Sequence, residues 1–155
     1  MIEVKDVVKS FDGKTVLHGI NATFYDGKTN LIIGQSGSGK TVLMKSLVGL
    51  LTPDRGEILY DGRDIVKMDE EQRKDLRMEI GMLFQGSALF DSETVLGNVM
   101  FPLVMFSKMS QGEIRDRAEF CIERVNLKGA GDKYPSEISG GMQKRVAIAR
   151  AIALN

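Results

Sequence analysis

Eight consecutive residues, GQSGSGKT from Gly34 to Thr41, constrain this chain more than any other stretch. They fit the pattern G-x-x-x-x-G-K-[ST]. In that pattern glycines take positive φ and successive backbone N–H groups converge on phosphate oxygens. The context also fits. Thr29 to Ile33 carries Leu31, Ile32 and Ile33 in a row, as in a strand covered on both faces, and runs straight into Gly34. From Lys40 the segment KTVLMKSLVGLL puts Leu43, Leu47 and Leu50 at helical spacing until Thr52-Pro53-Asp54 breaks it. A chance glycine-rich turn needs neither the strand nor the helix. The site expected from these residues binds ATP or a close relative. Gly34, Gln35, Ser36, Gly37, Ser38, Gly39 and Val42 line the loop, Lys40 meets the β- and γ-phosphates, and Thr41 offers a hydroxyl to Mg²⁺. The positive end of the helix starting near Lys40 adds to the attraction.

Apolar residues near period two at Ile2 to Val8 and Ile20 to Phe24, bounded by Asp12-Gly13 and Asp26-Gly27, predict a small antiparallel sheet. Glu57 to Tyr60 predicts a further strand, Asp69 to Arg77 a charged helix, and Ile80 to Phe84 another apolar strand. From Ser92 to Leu127 helical patterns dominate, with Ser110 and Glu113 placed for a capping box. An alanine-rich helix is expected from about Gly140 to Leu154. Before it lies ISGGM at Ile138 to Met142, where Ser139 can cap the helix and Gly140 and Gly141 leave N–H groups open to an anion. Taken alone, this reads equally well as an ordinary capped helix.

The phosphate loop and ISGGM, in this order and with Gln85 between them, resemble the ATP-binding cassette subunits of ABC transporters. The resemblance implies an α/β P-loop fold with an antiparallel β subdomain, a partial parallel core sheet and a helical subdomain. It divides the chain into a nucleotide-binding core at 1–85, a helical subdomain at 86–138, and a signature motif with its helix at 139–155. It also implies a head-to-tail dimer of two ATPase subunits, in which Ser139, Gly140 and Gly141 of one copy contact the γ-phosphate held by the other. Gln85 matches the glutamine that reaches Mg²⁺ or the attacking water, so with Lys40 it is a catalytic candidate and with Thr41 a metal candidate; an exposed loop glutamine is the plainer alternative. Phe11 matches the aromatic that stacks on adenine, although tyrosine is more usual there; a core phenylalanine is the other reading.

Three stretches, GQSGSGKTVLMKSLVGLLTPDRGEI, MLFQGSALFDSETVLGNVMFPL and SEISGGMQKRVAIARAIAL, resemble most the lipid-trafficking ATPases that serve Mce-type proteins, including the system that maintains outer-membrane lipid asymmetry. Met142 stands where the general signature has glutamine. This likeness implies a phospholipid-type substrate, a place on the cytoplasmic side of the bacterial inner membrane, and integral-membrane permease partners. The segment at about 86–106 suits such a partner. Leu89, Phe90, Val95, Val99, Phe101 and Leu103 are more apolar groups than one short helix easily buries, with Met100, Met105 and Met109 as adaptable side chains. These residues could equally form the subdomain's own core.

In the family the signature helix leads to a strand ending in aspartate and glutamate, and later to a switch histidine. None of these is found up to Asn155, and His18 precedes the loop, so its expected role is structural. The resemblance therefore implies a piece of a longer ATPase, with the 155-residue chain binding nucleotide without turnover and, lacking strand neighbours, prone to self-association. Lys plus Arg equals Asp plus Glu at 21 each, which argues against a nucleic-acid backbone as partner, and long coiled-coil insertions typical of DNA-acting relatives are absent. The lone Cys121, among apolar neighbours, reads as a buried thiol.

Overall fold

The computed structural model describes residues 1–154, which fall into two compact units, Met1–Arg77 and Met78 onward.

The first unit is built on a four-stranded antiparallel sheet in the order β2-β1-β3-β4, with β1 at Ile2–Phe11, β2 at Lys14–Phe24, β3 at Arg55–Tyr60 and β4 at Arg63–Asp64. Strands β1 and β2 are longer than the period-two pattern predicts. Irregularities between Val4 and Val7, Val7 and Val8, and Lys9 and Ser10 shift the register and hide the alternation. Helix α1, Lys40–Leu47, packs with the sheet, and Val4, Val7, Leu17, Leu43, Leu47 and Ile58 are buried. Tyr60 closes this layer: its hydroxyl donates to the carbonyl of Leu47 at 2.8 Å, and burial pushes its pKa up to about 12. Helix α1 stops short of the predicted end, at Val48 followed by Gly49 with φ 68°. Helix α2, Glu70–Met78, is tied to the segment after β4 by Arg73, which donates to the carbonyls of Ile65 and Val66.

Helices α3 at Val95–Phe106, α4 at Gln111–Arg124 and α5 at Gly140–Ala151 make the second unit. They enclose a continuous core that includes Val95, Val99, Leu103, Ile114, Ala118, Cys121 and Val146. The capping box forms as its residues predict, with Ser110 N–H donating to Glu113 at 2.8 Å and Ser110 Oγ accepting from Glu113 N–H at 3.4 Å. Cys121 is fully buried, and its burial raises the thiol pKa. Helix α5 ends three residues before the predicted Leu154; the carbonyls just beyond it, at Ile152 and Ala153, accept from Arg117 of α4.

Two expected strands require correction. Neither 29–33 nor 80–84 belongs to any ladder among the described residues, so the partial parallel core is not formed as a sheet. A strand, unlike a helix, satisfies its backbone only through a neighbour. The apolar side chains show the consequence: Leu31 is 77% and Ile33 84% exposed, against the two-sided burial that their run predicts.

Candidate functional site

The turn from strand-like segment to α1 holds its shape by two glycines. Gly37 has φ 79° and Gly39 φ 90°. Gly39 is also close to its surroundings, since a Cβ there would stand 3.0 Å from Leu17 Cδ2 and 3.1 Å from the Val16 carbonyl. Only glycine satisfies both the backbone angle and the approach of β2. Ser38 N–H closes the turn onto the Gln35 carbonyl at 3.2 Å. Among the described residues, the N–H groups of Gly37, Gly39, Lys40, Thr41 and Val42 have no hydrogen-bond partner. That array of open donors at a helix start is what an anion needs.

Lys40 lies across the loop, with Nζ donating to the carbonyls of Gly34 at 2.8 Å and Gln35 at 2.7 Å. No carboxylate pairs with it among the described residues, and α1 has no acidic residue in its first turn. The charge is thus held at the loop mouth but not neutralised. Gln35, Ser36, Ser38 and Thr41 are exposed, with Val42 half-buried behind them. The donor set is a good fit to a phosphate chain, and the Thr41 hydroxyl is a hard oxygen suited to Mg²⁺. Among the described residues no group of three or more His, Cys, Asp or Glu is assembled for a metal ion, so a cation here would depend on Thr41 and on the phosphates themselves.

Phe11 sits at the end of β1 beside the Asp12-Gly13 turn, 40% exposed, with Lys9 Nζ 5.5 Å from its ring centre. The core alternative for this ring is therefore excluded: it is an exposed ring with the Lys9 ammonium over it. His18 is exposed on β2 opposite Val8.

The remaining candidates belong to the second unit. Gln85 is exposed in a turn, closed by Ser87 N–H donating to the Phe84 carbonyl at 3.1 Å. Ser139 caps α5 by accepting from Met142 N–H at 3.3 Å. Gly140 and Gly141 carry nothing that would obstruct a ligand: a Cβ at Gly140 would meet no atom within 4 Å. Tyr134 N–H donates to Glu137 at 2.7 Å and Gln143 Nε2 to the Pro135 carbonyl at 2.9 Å, which fixes the approach to the motif.

Residues 86–106 divide between the two readings. Val95, Val99 and Leu103 are buried in the unit's own core, whereas Phe90, Phe101, Val104, Met105 and Phe106 are each at least 40% exposed. Sequence reasoning missed the residue that organises the approach to this face. Asn98, fully buried, accepts from Phe90 N–H at 2.8 Å and donates to the carbonyls of Phe90, Glu93 and Thr94. A lone asparagine inside an apolar helix was the available signal.

The ABC transporter family model matches residues 17–155. The chain is 42% identical over 154 residues to the Mycobacterium leprae "Probable ribonucleotide transport ATP-binding protein mkl", covering 99% of this chain and 44% of that one. It is 40% identical over 155 residues to the Haemophilus influenzae "Intermembrane phospholipid transport system ATP-binding protein MlaF", covering 100% of this chain and 59% of the relative. The chain thus spans about half the length of these relatives. Among solved structures it superposes with TM-score 0.90 and 34% identity on a dimeric ATP-binding cassette in a post-hydrolysis state bound to ADP and Pi, covering all of this chain and 70% of that one. No helix among the described residues is long and apolar enough to cross a membrane.

Proposed function

The chain belongs to the ABC transporter family of ATP-binding domains, and from that premise we propose that it is the nucleotide-binding part of an ATPase subunit that drives transport of a phospholipid-type lipid. The observation that carries the reading is the phosphate loop: open N–H groups at Gly37 and from Gly39 to Val42, with Lys40 held over the Gly34 and Gln35 carbonyls and unpaired with any carboxylate among the described residues. The lipid substrate draws its support from the likeness to the phospholipid transport relative and from the stretch following Gln85.

In this reading Lys40 leaves the two loop carbonyls and turns its charge to the β- and γ-phosphates, while the N–H groups of the loop and α1 receive phosphate oxygens. The Phe11 ring stacks on the adenine. Ser139, Gly140 and Gly141 of a second copy face the γ-phosphate in a head-to-tail dimer. Gln85 would act on the attacking water, and the Thr41 hydroxyl is the oxygen that would hold Mg²⁺. The metal, when bound, offsets negative charge on the transferred phosphoryl group. The subunit works on the cytoplasmic side of the inner membrane, and the exposed face around Phe101, Val104, Met105 and Phe106 receives a permease subunit.

Titration of the chain with Mg-ATP tests the binding step. Lys40→Ala should weaken affinity by about 100-fold, which corresponds to roughly 2.7 kcal/mol. Retained affinity would refute the assigned site. Phosphate release, measured for this chain and for the protein that carries it, separates binding without turnover from a complete ATPase. Transport of labelled phospholipid into proteoliposomes then tests the substrate, with ribonucleotide as the competing cargo.

A further inference from the structure

Arg150, near the end of α5, holds the loop that follows Gln85. Its guanidinium donates twice, from Nη1 to the Ala88 carbonyl at 2.8 Å and from Nη2 to the Ser87 carbonyl at 2.9 Å. Both receiving residues have left-handed backbone, Ser87 at φ 60° and Ala88 at φ 48°, a conformation that side-chain-bearing residues adopt only under strain. Such a pair persists only where the surroundings fix it. The fork of Arg150 supplies that fixing, because its two parallel donors match two successive carbonyls in a way a single ammonium does not.

Further contacts complete the brace. The guanidinium lies 5.8 Å from the centre of the Phe90 ring, and Phe90 in turn meets Phe101 of α3 at 4.7 Å between centroids. On the other side of the turn, Gly81 passes so close to α5 that a Cβ there would stand 2.6 Å from the Ala151 carbonyl. Residues 87–88 are therefore tied to Arg150 of α5 while residue 81 passes against the neighbouring Ala151, and Gln85 is exposed between the two. The same helix carries Ser139, Gly140 and Gly141 at its other end.

We propose that Arg150 is a positioning residue for Gln85, holding the 84–88 turn on α5 so that the glutamine moves with the helix that presents Ser139. This rests on the reading of Gln85 as a group that acts on the bound nucleotide. The contacts of Arg150 are with the turn and with Phe90. It sets where Gln85 stands and makes helix and turn a single mechanical piece, linked through Phe90 and Phe101 to the exposed face of α3.

The experiment combines hydrogen exchange with kinetics in the protein that carries this chain. Arg150→Met keeps the length of the side chain and removes both donors. Exchange at the amides of 84–88 should rise about tenfold or more while amides of α4 keep their protection. Affinity for Mg-ATP should stay within about twofold, and kcat should fall about tenfold at unchanged KM, as expected when a positioned group is displaced. Arg150→Lys, which keeps the charge but not the fork, should fall between wild type and Arg150→Met in both readouts. Unchanged exchange at 84–88 in either variant overturns the proposal, as does a kcat that stays at the wild-type value once the turn is loosened. Should Arg150→Met fail to fold, Phe90→Leu leaves both hydrogen bonds and removes the ring beneath them; a twofold to threefold rise in exchange at 84–88 supports the brace, and no rise overturns it. Loss of Mg-ATP binding in the wild-type protein would overturn the functional reading while leaving the exchange result intact.

Discussion

The sheet unit and the helical unit meet the same requirement, satisfied backbone and buried apolar groups, with different success. In the helical unit every long element hydrogen-bonds to itself, and α3, α4 and α5 close a core from residues of that unit alone. In the sheet unit the hairpin β1–β2 and strand β3 find partners, but 29–33 finds none, and Leu31 and Ile33 stand in solvent. Helices are locally complete and strands are not. The phosphate loop hangs from the incomplete side, directly after the unpaired segment, while the Gln85 turn and the signature serine belong to the complete side.

The sharpest test of that contrast removes the helical unit's polar hub. Asn98→Ala leaves Phe90 N–H and the Phe90 and Glu93 carbonyls without their partner, and should destabilise that unit by about 3 kcal/mol. Residue-resolved exchange should show the loss across α3–α5 and not in β1–β3. An equal loss in both would mean that they unfold as one block, and the contrast would break.

Gly39→Ala should cost the sheet unit about 2 kcal/mol, from φ 90° and from the clash with Leu17 and Val16, with denaturant unfolding of β2 as the readout. Ser110→Ala removes the cap of α4 and should cost the helical unit about 1 kcal/mol. Substituting threonine for both Leu31 and Ile33 should change stability by no more than about 0.5 kcal/mol, because neither side chain is packed. The same double variant should reduce self-association in light scattering. A large loss of stability would show that the 29–33 segment is already paired in solution.

What could be read from sequence follows the same division. Helices α3 to α5, the Ser110 and Glu113 box and the Ser139 cap are local features, set by residues three or four apart, and the sequence carries them openly. The glycine loop was legible because its backbone angles demand particular residues. The strands at 29–33 and 80–84 were legible as apolar runs but not as unpaired ones, since pairing depends on a neighbour that the run itself does not encode. The Arg150 brace and the left-handed Ser87 and Ala88 were hidden for another reason: the contact joins residues more than 60 apart in sequence, and neither serine nor alanine advertises positive φ. Asn98 was visible as a residue and silent as a role.

The smallest effect expected is acid-dependent, and it can separate the two units by residue. In the sheet unit Lys9 Nζ at 2.7 Å, followed by Ser10 N–H at 2.6 Å, holds the Asp54 carboxyl below the usual carboxylate range. In the helical unit the Ser110 hydroxyl, followed by Ser110 N–H, does the same for Glu113. A depressed folded-state pKa stabilises the ionised form, so each contribution is present above the unfolded-state value and is lost as pH falls through the folded one. Asp54→Asn should therefore flatten the acid limb of β1 and leave that of α4 unchanged; Glu113→Gln should do the reverse. Exchange protection followed from about pH 5 down to about pH 2 tests both. If either substitution flattens both limbs, acid unfolding is a single event, and the two units share a stability that their separate cores do not explain.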